Sequence, residues 1–431
     1  MKHHAHAPLA IREENPIKRV FRILGPGLIT GASDDDPSGI GTYSMAGASL
    51  GFATLWTAVL TLPLMVVVQY ICGKIGIVSG RGLAGVLKHH YSRGWLYSAV
   101  IGLIIANTIN AGVDIAAIAA AINMFVPLPI LALVFPIALI ILVVQVWGSY
   151  RLICRTFKWL TLTLFAYIGA ALLATRHWGV VLRATFIPTL RYDNQYLTTL
   201  VAILGTTISP YLFFWQASEE VEEEIDMGRK RVHDRKGATN EELKNLKWDT
   251  LAGMIFCNLV FYFVILAAAS TLHATGKTTI QSAREAAEAL RPIAGSSAAV
   301  LFALGIIGSG FLAVPVLTSS AAYAVAETFG FKSGLNEKPR KAKEFYGVIA
   351  IATLVGVLIN FIGVNPIQAL FWTAVINGVI APPLLLVIML VSNNKRVMGN
   401  RVNNRFTNFI GWTATAILFI AAIGMIASWG R

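Results

Sequence analysis

The sequence predicts an all-α, polytopic membrane protein with eleven transmembrane helices. Of its 431 residues, 56% are hydrophobic and 13% are charged, and the mean hydropathy is +0.65. Soluble domains carry about 25% charged residues. Apolar runs of about 20 residues recur along the whole chain, and each is too long and too uniformly apolar for an alternating barrel strand. These observations exclude an ordinary cytosolic enzyme, a disordered protein and a nucleic-acid-binding domain.

Eleven apolar segments are the predicted membrane-crossing helices. They cover residues 23–48, 52–73, 95–122, 128–147, 155–175, 197–218, 248–271, 297–327, 345–364, 367–392 and 406–428. Three regions follow from this assignment. Residues 1–22 form an N-terminal tail, residues 23–392 a ten-helix core, and residues 393–431 a loop followed by the eleventh helix.

The distribution of basic residues predicts the orientation in the membrane. If the N-terminus is cytoplasmic, 28 of the 35 Lys and Arg residues lie on the inner segments. Such a bias is typical of the cytoplasmic side, so the net charge of +13 reflects topology and not nucleic-acid binding. We therefore expect a multi-pass protein of the cell (plasma) membrane. Its N-terminus is cytoplasmic and, because the number of spans is odd, its C-terminus is extracellular.

Two polar segments and the cysteines carry further expectations. The inner loop 219–247 is acidic first and basic later, which favours a solvated helical extension into the cytosol. The outer segment 279–290 has the pattern of a short amphipathic surface helix. Cys72, Cys154 and Cys257 fall in or beside apolar segments, which favours small core residues over a disulfide framework or a metal site.

The first span contains the most informative residues. Ionisable groups inside a bilayer are costly and mark functional sites. Here Asp34, Asp35 and Asp36 interrupt an apolar helix directly before Pro37. Because proline lacks an N–H and disfavours helical geometry in the preceding residue, we expect the helix to unwind near residues 35–39. The structural alternative is a proline kink with an aspartate, Asp34 or Asp35, capping the second half-helix.

The sixth span carries a matching interruption. Pro210 breaks it, next to the hydroxyls of Thr206, Thr207 and Ser209. Spans one and six hold the same place in two successive five-span halves. Paired interruptions of this kind indicate an inverted 5+5 repeat with a substrate site at the middle of the membrane. The Asp36 carboxylate and neutral oxygens at the helix breaks would suit a hard cation.

These residues resemble a known family, the NRAMP divalent-metal transporters. The matching motifs are Gly25-Pro26-Gly27-Leu28, Asp36-Pro37-Ser38-Gly39 and Ala46-Gly47-Ala48-Ser49 in the first helix, and Ala202–Gln216 in the sixth. The resemblance covers nearly all the chain. It implies the amino-acid/sodium-symporter-like fold with one extra helix, and transport of a divalent metal by alternating access.

The departures from the family pattern narrow this expectation. The metal-binding asparagine of the family is here Gly39, and its metal-binding methionine is Ser209. Its two sixth-helix histidines fall on Tyr211 and Gln216, and its third-helix proton-path Asp–Glu pair falls on Ala111 and Asp114. A thioether disfavours hard cations, and histidine titrates near neutral pH. The chain is therefore most similar to the NRAMP-related magnesium transporters, which implies transport of Mg²⁺, and also Mn²⁺, without proton coupling.

The resemblance assigns the candidate metal site. Its residues are Asp36, Gly39, Thr206 and Ser209, and Asp35 adds negative charge without contacting the ion. Asp36 binds the ion directly or through water, Thr206 offers its carbonyl, Ser209 its hydroxyl or carbonyl, and Gly39 leaves room for water.

Several polar residues in other spans are candidates for the ion pathway. Asp114 lines the path or bonds to a neighbouring helix, Tyr211 lies beside the site, and Asn377 completes it or marks a packing kink. Asn107 and Asn110 on the third span are expected to form hydrogen bonds between helices.

Three alternatives stay open at this point. The first is a proton-coupled Mn²⁺/Fe²⁺ symporter, the second a sodium-coupled organic-solute carrier, and the third an ion channel. An enzyme is not expected, because no nucleophile–base pair or metalloprotease motif is present. We expect a divalent metal ion as substrate and the lipid bilayer as environment, with no cofactor and no nucleic-acid partner. The sequence leaves the oligomeric state open and is compatible with a monomer.

Overall fold

The computed structural model describes residues 26–148 and 162–429. Within these ranges the chain forms α-helices joined by turns and short 3-10 segments, without a β-strand. The predicted tail 1–22, Cys154 and the start of the predicted span 155–175 lie outside the described residues.

Nineteen α-helices occur in the described ranges. In chain order they are α1 (Pro26–Asp34), α2 (Pro37–Leu50), α3 (Trp56–Ser79), α4 (Leu83–His90), α5 (Arg93–Asn123), α6 (Ile130–Trp147), α7 (Ala166–Ala174), α8 (Trp178–Phe186), α9 (Asn194–Thr207), α10 (Pro210–Asp226), α11 (Val232–Arg235), α12 (Asn240–Thr271), α13 (Ala283–Ala287), α14 (Arg291–Ala294), α15 (Ala298–Phe329), α16 (Lys343–Ile359), α17 (Pro366–Ser392), α18 (Lys395–Met398) and α19 (Arg405–Ser428).

The membrane-crossing segments agree with the sequence prediction. Nine segments of the described chain are long and apolar enough to span a bilayer, and the pair α9 and α10 counts as one of them. The first predicted span corresponds to the shorter helices α1 and α2. The fifth corresponds in part to the apolar helix over Leu162–Ala174. The all-α, multi-span fold class is therefore confirmed.

The packing of the helices follows the predicted repeat, in which spans one to five correspond to spans six to ten. The first span, α1 and α2, packs on α12, the seventh span. If spans one to five are swapped with spans six to ten, a contact between spans one and seven becomes a contact between spans six and two. The structure contains this second contact, because α10 packs on α3. The third and eighth spans, α5 and α15, take each other's place in this swap. Their contact is therefore its own counterpart, and the two helices do pack on each other.

Two of the smaller expectations are also resolved. Cys72 and Cys257 are buried free thiols, as predicted. The outer segment does contain the short helix α13, followed by a 3-10 turn. The prediction of a solvated helical extension over residues 219–247 was wrong in part. Helix α10 continues to Asp226, but Glu220 and Glu224 on it are only 5% and 4% exposed because α10 packs between its neighbours.

Glycines let several helices approach closely, and one pair gives a stability test. A Cβ added at Gly356 on α16 would lie 2.8 Å from the Thr108 carbonyl oxygen of α5 and 3.0 Å from the Gly112 backbone. Backbone atoms cannot rotate away, so Gly356→Ala should destabilise the fold by about 1–3 kcal/mol.

A neighbouring glycine on the same helix is the matched control. A Cβ at Gly347 would meet nothing within 4 Å. In a thermal-aggregation assay of purified protein we expect Gly356→Ala to melt earlier than the parent and Gly347→Ala to melt at or above it. Equal melting of the two variants would show that α5 and α16 are not packed this closely.

Candidate metal site

The first span breaks at Asp35 and Asp36, between α1 and α2. Asp36 has extended backbone angles and caps α2, with Pro37 in its first turn. Its Oδ1 atom accepts hydrogen bonds from the Gly39 amide at 2.6 Å and from the Ser38 hydroxyl at 2.8 Å. The capping residue is thus Asp36 itself and not Asp34 or Asp35. The break is also shorter than the expected 35–39, because a capped helix with Pro in its first turn already begins at Pro37.

The sixth span breaks at Ile208 and Ser209, between α9 and α10. Ser209 has an extended backbone and precedes Pro210, the first residue of α10. Its hydroxyl turns back and donates to the carbonyl oxygens of Thr206 at 2.6 Å and Gly205 at 3.1 Å. These carbonyls stand at the C-terminal end of α9, where helix geometry leaves them without backbone partners. The break therefore gathers neutral oxygens in one place.

The two breaks meet at Gly39. A Cβ at this position would lie 3.2 Å from the Thr206 hydroxyl oxygen and 3.3 Å from Asp36 Oδ1. Both oxygens thus border the small space that the missing side chain leaves. The structure brings together Asp36, Gly39 and Thr206 as predicted, and Ser209 joins them through its hydrogen bond to the Thr206 carbonyl.

A third element, α5, fixes the other carboxylate oxygen. Asn110 donates from Nδ2 to Asp36 Oδ2 at 3.1 Å. The other amide atom, Asn110 Oδ1, is buried and has no hydrogen-bond partner in the described part of the chain. Asn110 was predicted to form a hydrogen bond to a neighbouring helix, and the structure shows that the acceptor is the Asp36 carboxylate. Asn107 instead donates to the Leu317 carbonyl, a contact that only supports helix packing.

Asp114 lies one turn along α5 from Asn110. It is buried beside the backbone amide of Ser38. Asp35 lies in the break itself, buried, and neither of its carboxylate oxygens has a hydrogen-bond partner within residues 26–148 and 162–429. Both residues therefore place an ionisable carboxyl group near Asp36.

No Lys or Arg of the described residues supplies a counter-charge to the site. Asp34, Asp35, Asp36 and Asp114 are all buried, and none forms an ion pair with a described Lys or Arg. Buried, uncompensated carboxylates are costly in a low-dielectric interior, so this region favours a bound cation. Among the described residues no three His, Cys, Asp or Glu side chains converge as a metal cluster. The ligands of a cation here would be one carboxylate and neutral oxygens.

Tyr211 closes the site on the α1 and α10 side. Its hydroxyl donates to the Ser33 carbonyl at 2.8 Å, and the Thr30 hydroxyl donates to Gln216 Oε1 at 2.6 Å. Gln216 in turn donates to Glu220 Oε1 at 2.7 Å. These bonds tie the half-helix α1 to the half-helix α10.

Apolar side chains close the opposite side. Ile306 and Leu370 lie around Gly41 of α2, and all three border one small cavity. Since Asp36, Thr206 and Ser209 are each about 1% exposed, the site is closed towards both surfaces in this conformation.

No hydrogen bond among the described residues joins the pathway candidate Asn377 to the site. Asn377 is buried on α17, a helix that packs on α9 and α2. Its Nδ2 atom has no partner among the residues that the structure describes. Its predicted role stays a prediction.

Comparisons with known proteins now identify the family. The family described as "Natural resistance-associated macrophage protein-like" (Nramp) matches residues 27–428. The chain is 25% identical over 415 residues to the divalent metal cation transporter MntH of Klebsiella pneumoniae, covering 94% of this chain and 95% of the relative. It is 25% identical over 424 residues to the protein of the same name in Deinococcus radiodurans, covering 95% and 90%.

Solved structures show the same fold. A crystal structure of the manganese transporter of Eremococcus coleocola superimposes with a TM-score of 0.73 at 18% identity, covering 96% of this chain and 88% of that one. Mhp1, a nucleobase-cation-symport-1 family transporter, superimposes with a TM-score of 0.54 at 12% identity, covering 94% and 92%. With nearly its whole length matched by one family description, the chain belongs to the Nramp family.

Proposed function

We propose that this protein carries divalent metal ions across the plasma membrane by alternating access at the Asp36 site. The observation that supports this most strongly is the meeting of the two helix breaks, with one buried carboxylate facing neutral oxygens of α9. Membership of the Nramp family confirms the prediction of a membrane transporter rather than an enzyme. The matched relatives are named as divalent-metal or manganese transporters, which supports the same substrate class.

We further propose a preference for hard cations, Mg²⁺ and also Mn²⁺. The side-chain atoms nearest to Gly39 are oxygens of Thr206 and Asp36, and Ser209, at the same break of α9 and α10, carries a hydroxyl. Oxygen ligands suit Mg²⁺ and Mn²⁺, whereas a thioether selects softer metals. The buried thiol of Cys257 donates to Asp34 Oδ2 at 3.3 Å and not to Asp36.

We also propose that transport proceeds without coupled proton flow. The histidine positions of the family's sixth helix are occupied by Tyr211 and Gln216, and both side chains are engaged in hydrogen bonds between α1 and α10. Neither tyrosine nor glutamine exchanges a proton near neutral pH. The competing proposal is proton-coupled Mn²⁺ transport, which the buried carboxylates of Asp35 and Asp114 favour because they are able to carry protons.

Uptake into sealed proteoliposomes tests both points. Mg²⁺, Mn²⁺ and Ca²⁺ would be offered separately while an internal dye reports pH, with protein-free liposomes as the control. We expect uptake of Mg²⁺ and Mn²⁺ without acidification of the lumen. Acidification that follows metal entry would favour the proton-coupled proposal. If micromolar Mn²⁺ entered while millimolar Mg²⁺ neither entered nor competed, the preference for hard cations would be wrong.

A further inference from the structure

The segment that joins α17 to α19 has a strongly uneven charge. It carries Lys395, Arg396 and Arg401, and Arg405 is the first residue of α19. The chain contains no acidic residue after Glu344. None of these four cations forms an ion pair with a carboxylate in the described ranges. Arg401 instead donates to the neutral side chain of Asn240 at 2.5 Å. Cations without carboxylate partners at one place on a surface attract an anion.

A groove on α19 begins at one of these cations. It is lined by Arg405, Asn408, Phe409, Trp412, Thr413 and Ala416. Phe409 is 71% exposed and Trp412 is 40% exposed, on the side of α19 that faces away from the helix bundle. The groove therefore has a cationic end at the start of α19 and an aromatic, apolar body further along the helix.

A buried amine lies behind the cationic end. Lys74, near the end of α3, is 4% exposed and donates to Asn403 Oδ1 at 2.5 Å. Asn403 donates in turn to the groove residue Asn408 at 3.3 Å. The positive charge of Lys74 is therefore linked to the groove through one asparagine, and no described carboxylate forms an ion pair with Lys74.

The positive charge continues on the neighbouring surface. His90, at the end of α4, has its pKa lowered by partial burial and by the positive charges of His89, Lys236, Arg81 and Arg396. A histidine whose protonation is opposed by four basic neighbours stands in a net positive field. The same surface thus extends from the α17–α19 segment to α4.

We infer that this groove holds an anionic phospholipid of the inner leaflet. Arg405 and Arg401 bind the phosphate headgroup, and an acyl chain lies along Phe409 and Trp412. Basic pockets at the cytoplasmic ends of membrane helices attract anionic lipids, and the charge distribution predicts the cytoplasmic side for this segment. A soluble phosphate would use the cationic end alone and would leave the exposed aromatic side chains uncovered.

The helix that carries the groove, α19, contacts helices that matter for the metal site. Helix α19 packs on α3, α17 and α9, and α9 ends at the Thr206 region. The lipid would therefore lie on α19 at the inner membrane surface without contacting the metal-binding residues. This assignment does not depend on which metal the protein carries.

Native mass spectrometry of the full-length protein, released from nanodiscs, tests the inference. The nanodiscs contain phosphatidylglycerol or phosphatidylcholine. We expect the parent to retain phosphatidylglycerol selectively and the double variant Arg401→Gln/Arg405→Gln to retain about 20- to 30-fold less, because each basic residue near an anionic surface contributes about 5-fold. The matched control is Lys338→Gln/Arg340→Gln, which removes two exposed cations from another predicted inner loop.

Two further arms make the result decisive. Phe409→Ser should weaken retention while the charges remain, and millimolar inorganic phosphate should not displace the lipid. Equal retention by Arg401→Gln/Arg405→Gln and the parent, or an equal loss in the control, would overturn the inference. Displacement by phosphate together with an unaffected Phe409→Ser variant would also overturn it, because the groove would then bind phosphate rather than lipid.

Discussion

Asp36→Asn should abolish metal uptake while leaving the fold intact. Asparagine is as good an N-cap as aspartate, so α2 should still begin at Pro37. The variant removes the negative charge of the carboxylate, which lies beside Gly39 and accepts a hydrogen bond from Asn110. Losing even an outer-shell partner costs 10- to 100-fold in metal affinity, so we expect a loss of at least about 100-fold here.

Initial rates of Mn²⁺ uptake into proteoliposomes measure this effect. Asp234→Asn is the matched control, because it makes the same change on a half-exposed side chain far from the helix breaks. The control should transport at the parental rate, and both variants should be monodisperse in size-exclusion chromatography. Parental uptake by Asp36→Asn would remove Asp36 from the site.

The second large effect concerns selectivity, and Ser209→Met is expected to produce it. The Ser209 hydroxyl bonds to the Thr206 carbonyl at the break, so a methionine here would place a thioether beside the neutral oxygens of α9. Sulfur disfavours hard cations relative to softer ones. Mn²⁺, a transition metal, is the softer of the two ions, so we expect Mg²⁺ uptake to fall by about 10-fold or more and Mn²⁺ uptake to fall less.

A leucine at the same position separates the chemistry from the bulk. Ser209 is fully buried, so any larger side chain will crowd its surroundings. Ser209→Leu has a volume close to that of methionine and no sulfur, and it should reduce the uptake of both ions alike. The same Mg²⁺-to-Mn²⁺ uptake ratio in the two variants would show that side-chain size, and not ligand softness, sets the selectivity.

The features that the sequence predicted correctly are local in the chain. The break at Asp36 follows from a carboxylate next to Pro37, and the break at Ser209 follows from Pro210, since proline acts on its own backbone and on the residue before it. The spans follow from runs of apolar residues. The 5+5 repeat follows from the positions of the two breaks.

The features that the sequence could not predict depend on how distant helices are placed against each other. The pairing of Asn110 with Asp36 requires α5 and α2 to be in one particular register, which no local pattern encodes. A polar spacing on one face of the third span, with Asn107, Asn110 and Asp114, is the only signal for it. The hydrogen bond from Tyr211 to the Ser33 carbonyl has the same origin.

Charge patterning misled the prediction for the end of α10. A run of carboxylates is usually solvated, yet Glu220 is buried by neighbouring helices and accepts a hydrogen bond from Gln216. The space at Gly39 also differs in detail from the expected room for water. The missing side chain of Gly39 brings Thr206 and Asp36 close to one point, so the space it leaves is small.

Anomalous diffraction from crystals grown with Mn²⁺ would locate the ion directly. A single anomalous peak is expected between the two helix breaks, within about 2–2.6 Å of an Asp36 carboxylate oxygen and of oxygens or waters at Thr206 and Ser209. The peak should be absent from crystals of Asp36→Asn grown in the same way. A peak elsewhere in the protein, or one that persists in that variant, would contradict a metal site at the junction of the broken helices.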